Sequence, residues 1–152
     1  MYQGDEQSQL DLRLFRIWSK ASKAIADNTK RDIESHGISP DHFMILELLY
    51  NKGPHPIQRI SEIFSIPSGS ITYVVDKLEQ KDYVRRQSSP TDRRTSNVAL
   101  TEKGETLFNE IFPKHAAVIT QNFSFISNEE KLLMIDLLKK LGFGAQELSK
   151  DK

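Results

Sequence analysis

Two short strand-like runs, residues 83–89 and 95–101, stand in a chain whose other apolar patterns are helical. The turn-forming segment SPTDRR joins them, and this predicts a β-hairpin with a loop of several residues. We therefore expect a fold that is mainly α with a small β-hairpin. The helices on either side of the hairpin decide which fold of this kind it is.

A long amphipathic helix is predicted near the N-terminus, from about residue 7 to residue 35. Its apolar residues recur at spacings of three and four, which places them on one face. They are Leu10, Leu14, Ile17, Trp18, Ala21 and Ile25. Gly37 suits the end of this helix.

Three further helices are predicted before the hairpin. The first follows Ser39, a good N-cap, with Pro40 in its first position and Gly53 at its end. A short helix is expected at about residues 56–64. The third helix begins after a capped turn at residues 65–70. Its apolar face consists of Ile71, Val74, Val75 and Leu78.

Two long helices are predicted after the hairpin. Thr101 caps the first, and Pro113 is expected to kink it because proline removes a backbone hydrogen bond. The segment SNEE at residues 127–130 forms a capping box, which opens the last helix. That helix is expected to stop at Gly142 and Gly144, and the polar tail after them is expected to fray.

This order of elements divides the chain into three parts. Residues 39–101 contain helix, turn, helix and hairpin, the layout of a winged helix-turn-helix domain. Residues 1–38 form an N-terminal helix and residues 102–152 form C-terminal helices, both too long and too apolar to be satisfied by the middle part alone. We expect these flanking helices to be dimerisation helices that pack on each other and on a second copy of the chain.

Composition and charge exclude several classes of protein. The 152 residues include 21 lysines and arginines, 21 acids and no cysteine, so disulfides, thiolate zinc sites and iron–sulfur clusters are impossible. The polar start of the chain is unlike a signal peptide. No apolar run approaches the roughly 20 residues that span a bilayer. A cytoplasmic protein without a membrane partner is expected.

The helix predicted immediately before the hairpin starts with the residue types expected of a DNA recognition helix. Such a helix enters the major groove with its N-terminal residues near base edges, so its first turns must be small and polar outside and apolar inside. Ser68, Gly69, Ser70, Thr72 and Tyr73 meet the first condition. Hydroxyl groups bind phosphates or base edges, although these serines taken alone are better explained as helix caps.

Positive charge is concentrated in the hairpin although the whole chain is neutral. Residues 81–94 contain five basic and two acidic side chains, whereas residues 102–152 contain seven basic and eight acidic ones. An arginine at the tip of a hairpin beside a major-groove helix is placed to reach the adjacent minor groove. An isolated Asp-Arg-Arg triplet would instead be read as a solvated loop.

The segment VVDKLEQKDYVRRQSSPTDRRTSNVALTEKG resembles the signature segment of MarR-type transcriptional regulators. The similarity covers the element order of the whole chain and residues 68–104 in detail. Four features fall in register: residues 76–79, Arg86, the pair Asp92 with Arg94, and Leu100-Thr101 followed by Gly104. Asp82 departs from the glycine that is common at its position.

The resemblance implies a DNA-binding role for residues of the helix and the wing. Arg94 would read the minor groove, and Asp92 would hold the wing arginines in place. Arg86 would lie at the base of the wing, near the DNA backbone or in a structural ion pair, while Arg93 has no assigned role. The candidate DNA-binding residues are Ser68, Ser70, Thr72, Tyr73, Lys77, Arg86, Asp92, Arg93 and Arg94.

The resemblance also implies a homodimer that binds double-stranded DNA at two half-sites about one helical turn apart. Many relatives are repressors that release DNA when a small phenolic or anionic effector binds between the dimer helices and the DNA-binding lobe. The candidate lining here is Phe15, Trp18, His42 and Phe43. Ordinary core packing is the alternative explanation of these aromatic residues.

Two other functions are considered. An enzyme is disfavoured because the chain contains none of the common nucleotide-binding, hydrolase or zinc-protease motifs, and its four histidines lack metal-ligand spacing. We expect no catalytic residue, metal or cofactor. The second is a winged-helix module that binds another protein, which would not need a basic wing beside small polar residues on its third helix.

Overall fold

The structure is a computed structural model that describes residues 1–150. It contains six α-helices and three short strands within that range. In chain order they are α1 Glu6–Ser35, α2 Pro40–Lys52, β1 His55–Pro56, α3 Ile57–Phe64, α4 Ser68–Gln80, β2 Val84–Ser88, β3 Ser96–Leu100, α5 Glu102–Asn122 and α6 Asn128–Lys150. The fold is therefore mainly α with a small β-sheet, as the sequence predicts.

The sheet has one strand more than the predicted hairpin. Its order is β1-β3-β2, and both pairs are antiparallel. In the hairpin, Val84 pairs with Leu100 and Ser88 pairs with Ser96. Strand β1 adds only two residues, with His55 opposite Val98. A two-residue strand that includes a proline has no alternating pattern, so the sequence gives no signal for it.

The chain contains two compact units, Met1–Val118 and a second unit that begins at Ile119. The core lies in the first unit, because the apolar faces of α2 and α4 pack there with Ile60 of α3, the sheet and the first half of α5. Its fully buried side chains are Phe108, Ile45, Leu46, Ile60, Ile71, Leu78, Val75, Val84 and Val98. All four apolar residues predicted to face inward from the third helix are buried.

Helices α1 and α6 contain no buried residue in a single chain. The predicted apolar stripe of α1 is present, but four of its large members are exposed to solvent, and Ile25 is partly buried. The exposed members are Leu10, Leu14, Ile17 and Trp18. Helix α6 exposes Leu132, Leu133, Met134, Ile135, Leu137, Leu138, Leu141, Phe143 and Leu148. Large apolar side chains at this density on a free surface mark a site of association.

Most of the predicted helix ends are confirmed. The Thr101 hydroxyl accepts a hydrogen bond from Gly104 N at 3.1 Å, as expected of a cap. In the capping box, Ser127 N donates to Glu130 Oε1 at 2.9 Å and Glu130 N donates to Ser127 Oγ at 3.1 Å. Ser39 stands at the N-cap position of α2, but its hydroxyl donates to the side chain of Asp41 and does not cap the helix. The Asp41 carboxylate instead accepts a hydrogen bond from His42 N at 3.0 Å.

Two predicted boundaries are wrong. Helix α4 begins at Ser68, so Ser68 and Ser70 belong to its first turn and not to the preceding loop. Helix α6 continues through Gly142 and Gly144 to Lys150, and neither glycine has a positive φ. A glycine inside a helix costs only about 1 kcal/mol relative to alanine, so it weakens a helix without ending it. The predicted polar tail is helical up to Lys150, and its last two residues lie outside the described range.

Helix α5 runs without interruption through Pro113.

None of the helices in residues 1–150 has the length and hydropathy that a bilayer span requires.

Candidate DNA-binding surface

Helix α4 presents one apolar face to the core and one polar face to solvent. Ile71, Val74, Val75 and Leu78 are buried, so the residues between them point outward. The exposed side of its first turn consists of Ser68, Gly69 and Ser70, which have small side chains. A partner can therefore approach the beginning of this helix closely, as a recognition helix requires.

The second and third turns of α4 add an aromatic ring and a positive charge. The Tyr73 side chain is 65% exposed, an unusual fraction for a large ring, and is therefore free to contact a partner. Lys77 Nζ lies 5.5 Å from the centre of that ring, within the range of a cation–π contact. The Thr72 hydroxyl donates to Ser68 O at 2.9 Å and keeps its lone pairs available.

The wing tip, residues 89–95, is organised by hydrogen bonds within the loop. Asp92 Oδ1 accepts from the backbone amide of Arg94 at 2.9 Å, the bond pattern of an Asx-type turn. Ser89 N donates to Thr95 O at 3.1 Å and closes the loop above the last strand pair. Asp92 thus contacts Arg94 through the main chain and leaves the guanidinium group unconstrained.

Arg93 and Arg94 are both exposed at the wing tip. Within residues 1–150, no carboxylate lies within ion-pair distance of either guanidinium. Two unneutralised arginines on a projecting loop are suited to an anionic groove or phosphate.

Arg86 is placed differently from the tip arginines. Its guanidinium donates to Asp76 Oδ1 at 2.7 Å and to Glu79 Oε1 at 2.8 Å, and both acceptors belong to α4. This is the ion-pair arrangement, one of the two alternatives that the sequence leaves open for this residue. Arg85, on the opposite face of β2, makes longer hydrogen bonds of 3.4 Å to Leu100 O and Gln87 Oε1.

The base of the wing is joined tightly to the start of α5. The Thr101 hydroxyl donates to Asp82 O at 2.6 Å, and Thr101 N donates to Tyr83 O at 3.1 Å. Gly104 packs against the same turn so closely that a Cβ atom there would collide with the Tyr83 carbonyl. Asp82 adopts a left-handed conformation with φ of 61°, a backbone region that glycine enters without strain and that aspartate tolerates better than most residues.

The four candidate effector residues fall into two groups. Phe15 and Trp18 are exposed on α1 with ring centroids 6.2 Å apart. Phe43 is buried in the core and packs at 5.2 Å from Phe108. His42 lies at the start of α2, half-buried, and burial lowers the pKa of its imidazole. Among these four residues, only Phe15 and Trp18 have their rings in contact with each other.

One buried polar cluster has no signal in the sequence. His115 of α5 is the only polar side chain buried among the residues described, and its Nδ1 lies 2.9 Å from Asp32 Oδ2 of α1. His36 Nε2 lies 3.4 Å from the other Asp32 oxygen, without hydrogen-bond alignment. The His115 ring also packs 4.6 Å from Phe43. Residues 83 positions apart carry no common sequence signal, so only the fold reveals the cluster.

Metal binding has no candidate site in residues 1–150, because no three histidine, cysteine or acidic residues are grouped as ligands there.

Comparison with known proteins identifies relatives over most of the chain. The model of the MarR family matches residues 38–96. The HTH-type transcriptional regulator MhqR of Bacillus subtilis is 46% identical over 140 residues, which cover 92% of this chain and 97% of that protein. Among solved structures, Sco3205 of Streptomyces coelicolor in complex with DNA has a TM-score of 0.78 at 19% identity, covering 94% of each chain. CouR of Rhodococcus jostii bound to p-coumaroyl-CoA has a TM-score of 0.73 at 21% identity, covering 84% of this chain and 90% of that one.

Proposed function

The chain belongs to the MarR family of transcriptional regulators, and we propose that it is a repressor that binds a near-palindromic operator as a homodimer. The observation that carries the proposal is the pairing of a small, polar helix start with two unneutralised arginines on the neighbouring wing. A regulator of this kind acts where the chromosome is, so we place it in the bacterial cytoplasm.

In the proposed complex, α4 enters the major groove with Ser68 and Ser70 leading. Thr72 and Tyr73 follow with hydroxyl groups that bind base edges or phosphates, and Lys77 adds a positive charge one turn later. Arg94 enters the adjacent minor groove, where the negative potential attracts a guanidinium group. Arg93 beside it contacts phosphate, and Asp92 shapes the turn that presents both.

The exposed apolar faces support the homodimer. We propose that residues 1–38 and 102–152 are the dimerisation parts and that residues 39–101 are the DNA-binding part. In a single chain, Leu14, Trp18 and Leu137 are exposed to water. A second copy would bury such side chains, and each Å² of apolar surface removed from water would stabilise the dimer by about 25 cal/mol. Two lobes held by these helices would meet half-sites about 34–36 Å apart on one side of the duplex.

We further propose that a small phenolic or anionic effector releases the DNA. CouR, one relative in fold, is bound to p-coumaroyl-CoA in its crystal structure. In this chain the proposed lining consists of Phe15, Trp18, His42 and Phe43. Burial lowers the pKa of His42, which favours the neutral imidazole, and a neutral ring can donate a hydrogen bond to a phenol or accept one from it.

The alternative is a winged-helix module that recognises another protein. It explains an exposed Tyr73 equally well, but it gives no reason for two arginines without acidic partners at the wing tip. The two functions also differ in their response to salt. Binding to duplex DNA releases counterions, so its affinity falls steeply as salt rises.

The test is titration with duplex DNA at two salt concentrations. We expect the protein to bind an inverted-repeat duplex, recovered by selection from random sequence, with log Kd linear in log salt and a slope of about 0.9 per phosphate contacted. A duplex of the same composition with the repeat scrambled is the control. A folded protein that binds neither duplex at low salt would exclude the regulator.

A further inference from the structure

We propose that Arg86 is a positioning residue that fixes the angle between the wing and the recognition helix. It would act on DNA through Arg94 and would not contact DNA itself. The inference rests on the proposed function, because it concerns how two parts of one DNA-binding surface are held together. The starting observation is that one guanidinium of β2 binds two carboxylates of α4.

The position of Arg86 in the strand gives it this role. Val84, two residues earlier on the same face of β2, is fully buried and anchors the strand in the core. Arg86 follows on that face, opposite the fully buried Val98 of β3, and its own side chain is 29% exposed. Where apolar packing ends, the ion pairs continue the attachment of the strand to α4.

The position of the two acids completes the clamp. Asp76 and Glu79 are three residues apart in α4, so their side chains lie next to each other on the helix surface. Arg86 Nη2 binds the first and Nη1 binds the second, which uses the planar fork of the guanidinium to bridge one turn of helix. Two fixed points define an orientation, whereas a single bond would leave β2 free to pivot.

The clamp contributes little to overall stability. The side chains of Arg86, Asp76 and Glu79 remain 29%, 52% and 43% exposed, and exposed ion pairs contribute about 0–1 kcal/mol. Its effect is geometric. The strand ladder ends at Ser88, about 7 Å beyond Arg86, and the tip projects further, so a small rotation at the base moves Arg94 appreciably.

The same carboxylates argue against a direct contact between Arg86 and phosphate. Its charge is opposed by two acids within 2.8 Å, and a phosphate would have to approach both of them. Among the described residues, no carboxylate forms an ion pair with either tip arginine. The structure therefore distinguishes Arg86, a clamp at the base of the wing, from Arg93 and Arg94, which carry their charge at the tip.

Neutralising Asp76 and Glu79 tests the proposal, because a simple charge effect and a loss of Arg86 positioning would change the DNA affinity in opposite directions. The double variant Asp76→Asn, Glu79→Gln removes negative charge beside the DNA, so electrostatics alone predicts tighter binding. If the acids hold Arg86 in place, binding to the selected inverted-repeat duplex should weaken by about tenfold. Unchanged or tighter binding would overturn the proposal.

A second test asks whether Arg86 acts through the wing tip. We expect Arg94→Ala to weaken binding strongly and Arg86→Gln to weaken it by about tenfold. In a variant that carries Arg86→Gln together with Arg93→Ala and Arg94→Ala, the loss should equal that of the Arg93→Ala, Arg94→Ala variant alone, because no tip arginine is left to be misplaced. Losses that add would mean that Arg86 contacts DNA independently, and would reject the positioning role.

Controls isolate the geometry from charge and folding. Glu62→Gln is the matched control, because it breaks the 3.0 Å pair with Arg59 inside α3 without separating two elements, and its affinity should stay within about twofold. Arg86→Lys keeps the charge but loses the fork, so it should not restore binding. Wild-type binding to the same duplex tests the proposed function separately, and unfolding curves confirm that each variant is folded.

Discussion

Gly104 shows how a single atom constrains the junction between the wing and helix α5. A Cβ atom at this position would collide with the carbonyl oxygen of Tyr83, which is backbone and cannot move aside by a change of rotamer. The Leu-Thr-x-x-Gly pattern, visible in the sequence only as a motif, thus has a steric cause. Thr101 caps the helix, and Gly104 lets the turn at residues 82 and 83 lie against it.

We predict that Gly104→Ala destabilises the protein by roughly 1–3 kcal/mol, the usual cost of forcing extra atoms into a packed site. The measurement is the free energy of unfolding from chemical denaturation. Gly69→Ala is the control, since nothing lies within 4 Å of its added Cβ, and it should gain about 0.5–1 kcal/mol because alanine favours a helix. A stable Gly104→Ala variant would contradict the steric explanation.

At the scale of elements, the capping box of α6 links helix stability to pH. The backbone amide and the hydroxyl of Ser127 hold the pKa of Glu130 below its usual value. Because the folded state binds the proton less readily than the unfolded state, the contribution of Glu130 is complete above about pH 4.5. It is lost as pH falls through the lowered folded-state pKa.

Glu130→Gln should therefore lower the midpoint of thermal unfolding at pH 6 and have progressively less effect towards pH 3. Thermal unfolding followed by circular dichroism at both pH values measures the difference. A difference between wild type and Glu130→Gln that is constant with pH would show that the carboxylate is not the group responsible.

The elements also show what can be predicted from local sequence. The capping box, the Thr101 cap and the buried face of α4 were predictable because each depends on residues within one or two helical turns. The end of α6 was not, since Gly142 and Gly144 look like stops unless neighbouring turns of helix outweigh their cost. Strand β1 exists only because β3 is present to pair with it.

For the candidate site, the sequence predicted which residues would lie together on α4 and at the wing tip. It could not decide between two places for Arg86, because its partners Asp76 and Glu79 come from another element. The contact between Asp32 and His115 joins α1 to α5 and depends wholly on the tertiary fold. Local sequence patterns could not predict these contacts, because the side chains are brought together by tertiary packing and not by their spacing along the chain.

At the scale of the whole molecule, the exposed faces of α1 and α6 make the dimer testable with little effect on the fold of one chain. Leu14 and Leu137 are 59% and 54% exposed, so replacing either with aspartate should not unfold the monomer. In a dimer interface, an unpaired charge is costly, and we expect the dissociation constant to rise roughly 100-fold.

Analytical ultracentrifugation of Leu14→Asp and Leu137→Asp over a range of concentrations measures this change, and DNA binding should be lost with the dimer. Lys20→Asp, which places the same charge outside the apolar stripe of α1, should remain a dimer. If both leucine variants dimerise like wild type, these helices do not form the interface.

The pairing of β1 with β3 has a consequence for synthesis on the ribosome. His55 must wait for Val98, more than forty residues later, before the third strand can form. Contacts that close such long loops form late in folding. Helices α2, α3 and α4 can therefore leave the ribosome before the sheet exists, and the wing is completed only when residue 100 has emerged. A nascent chain stalled before that point would present a recognition helix without its wing.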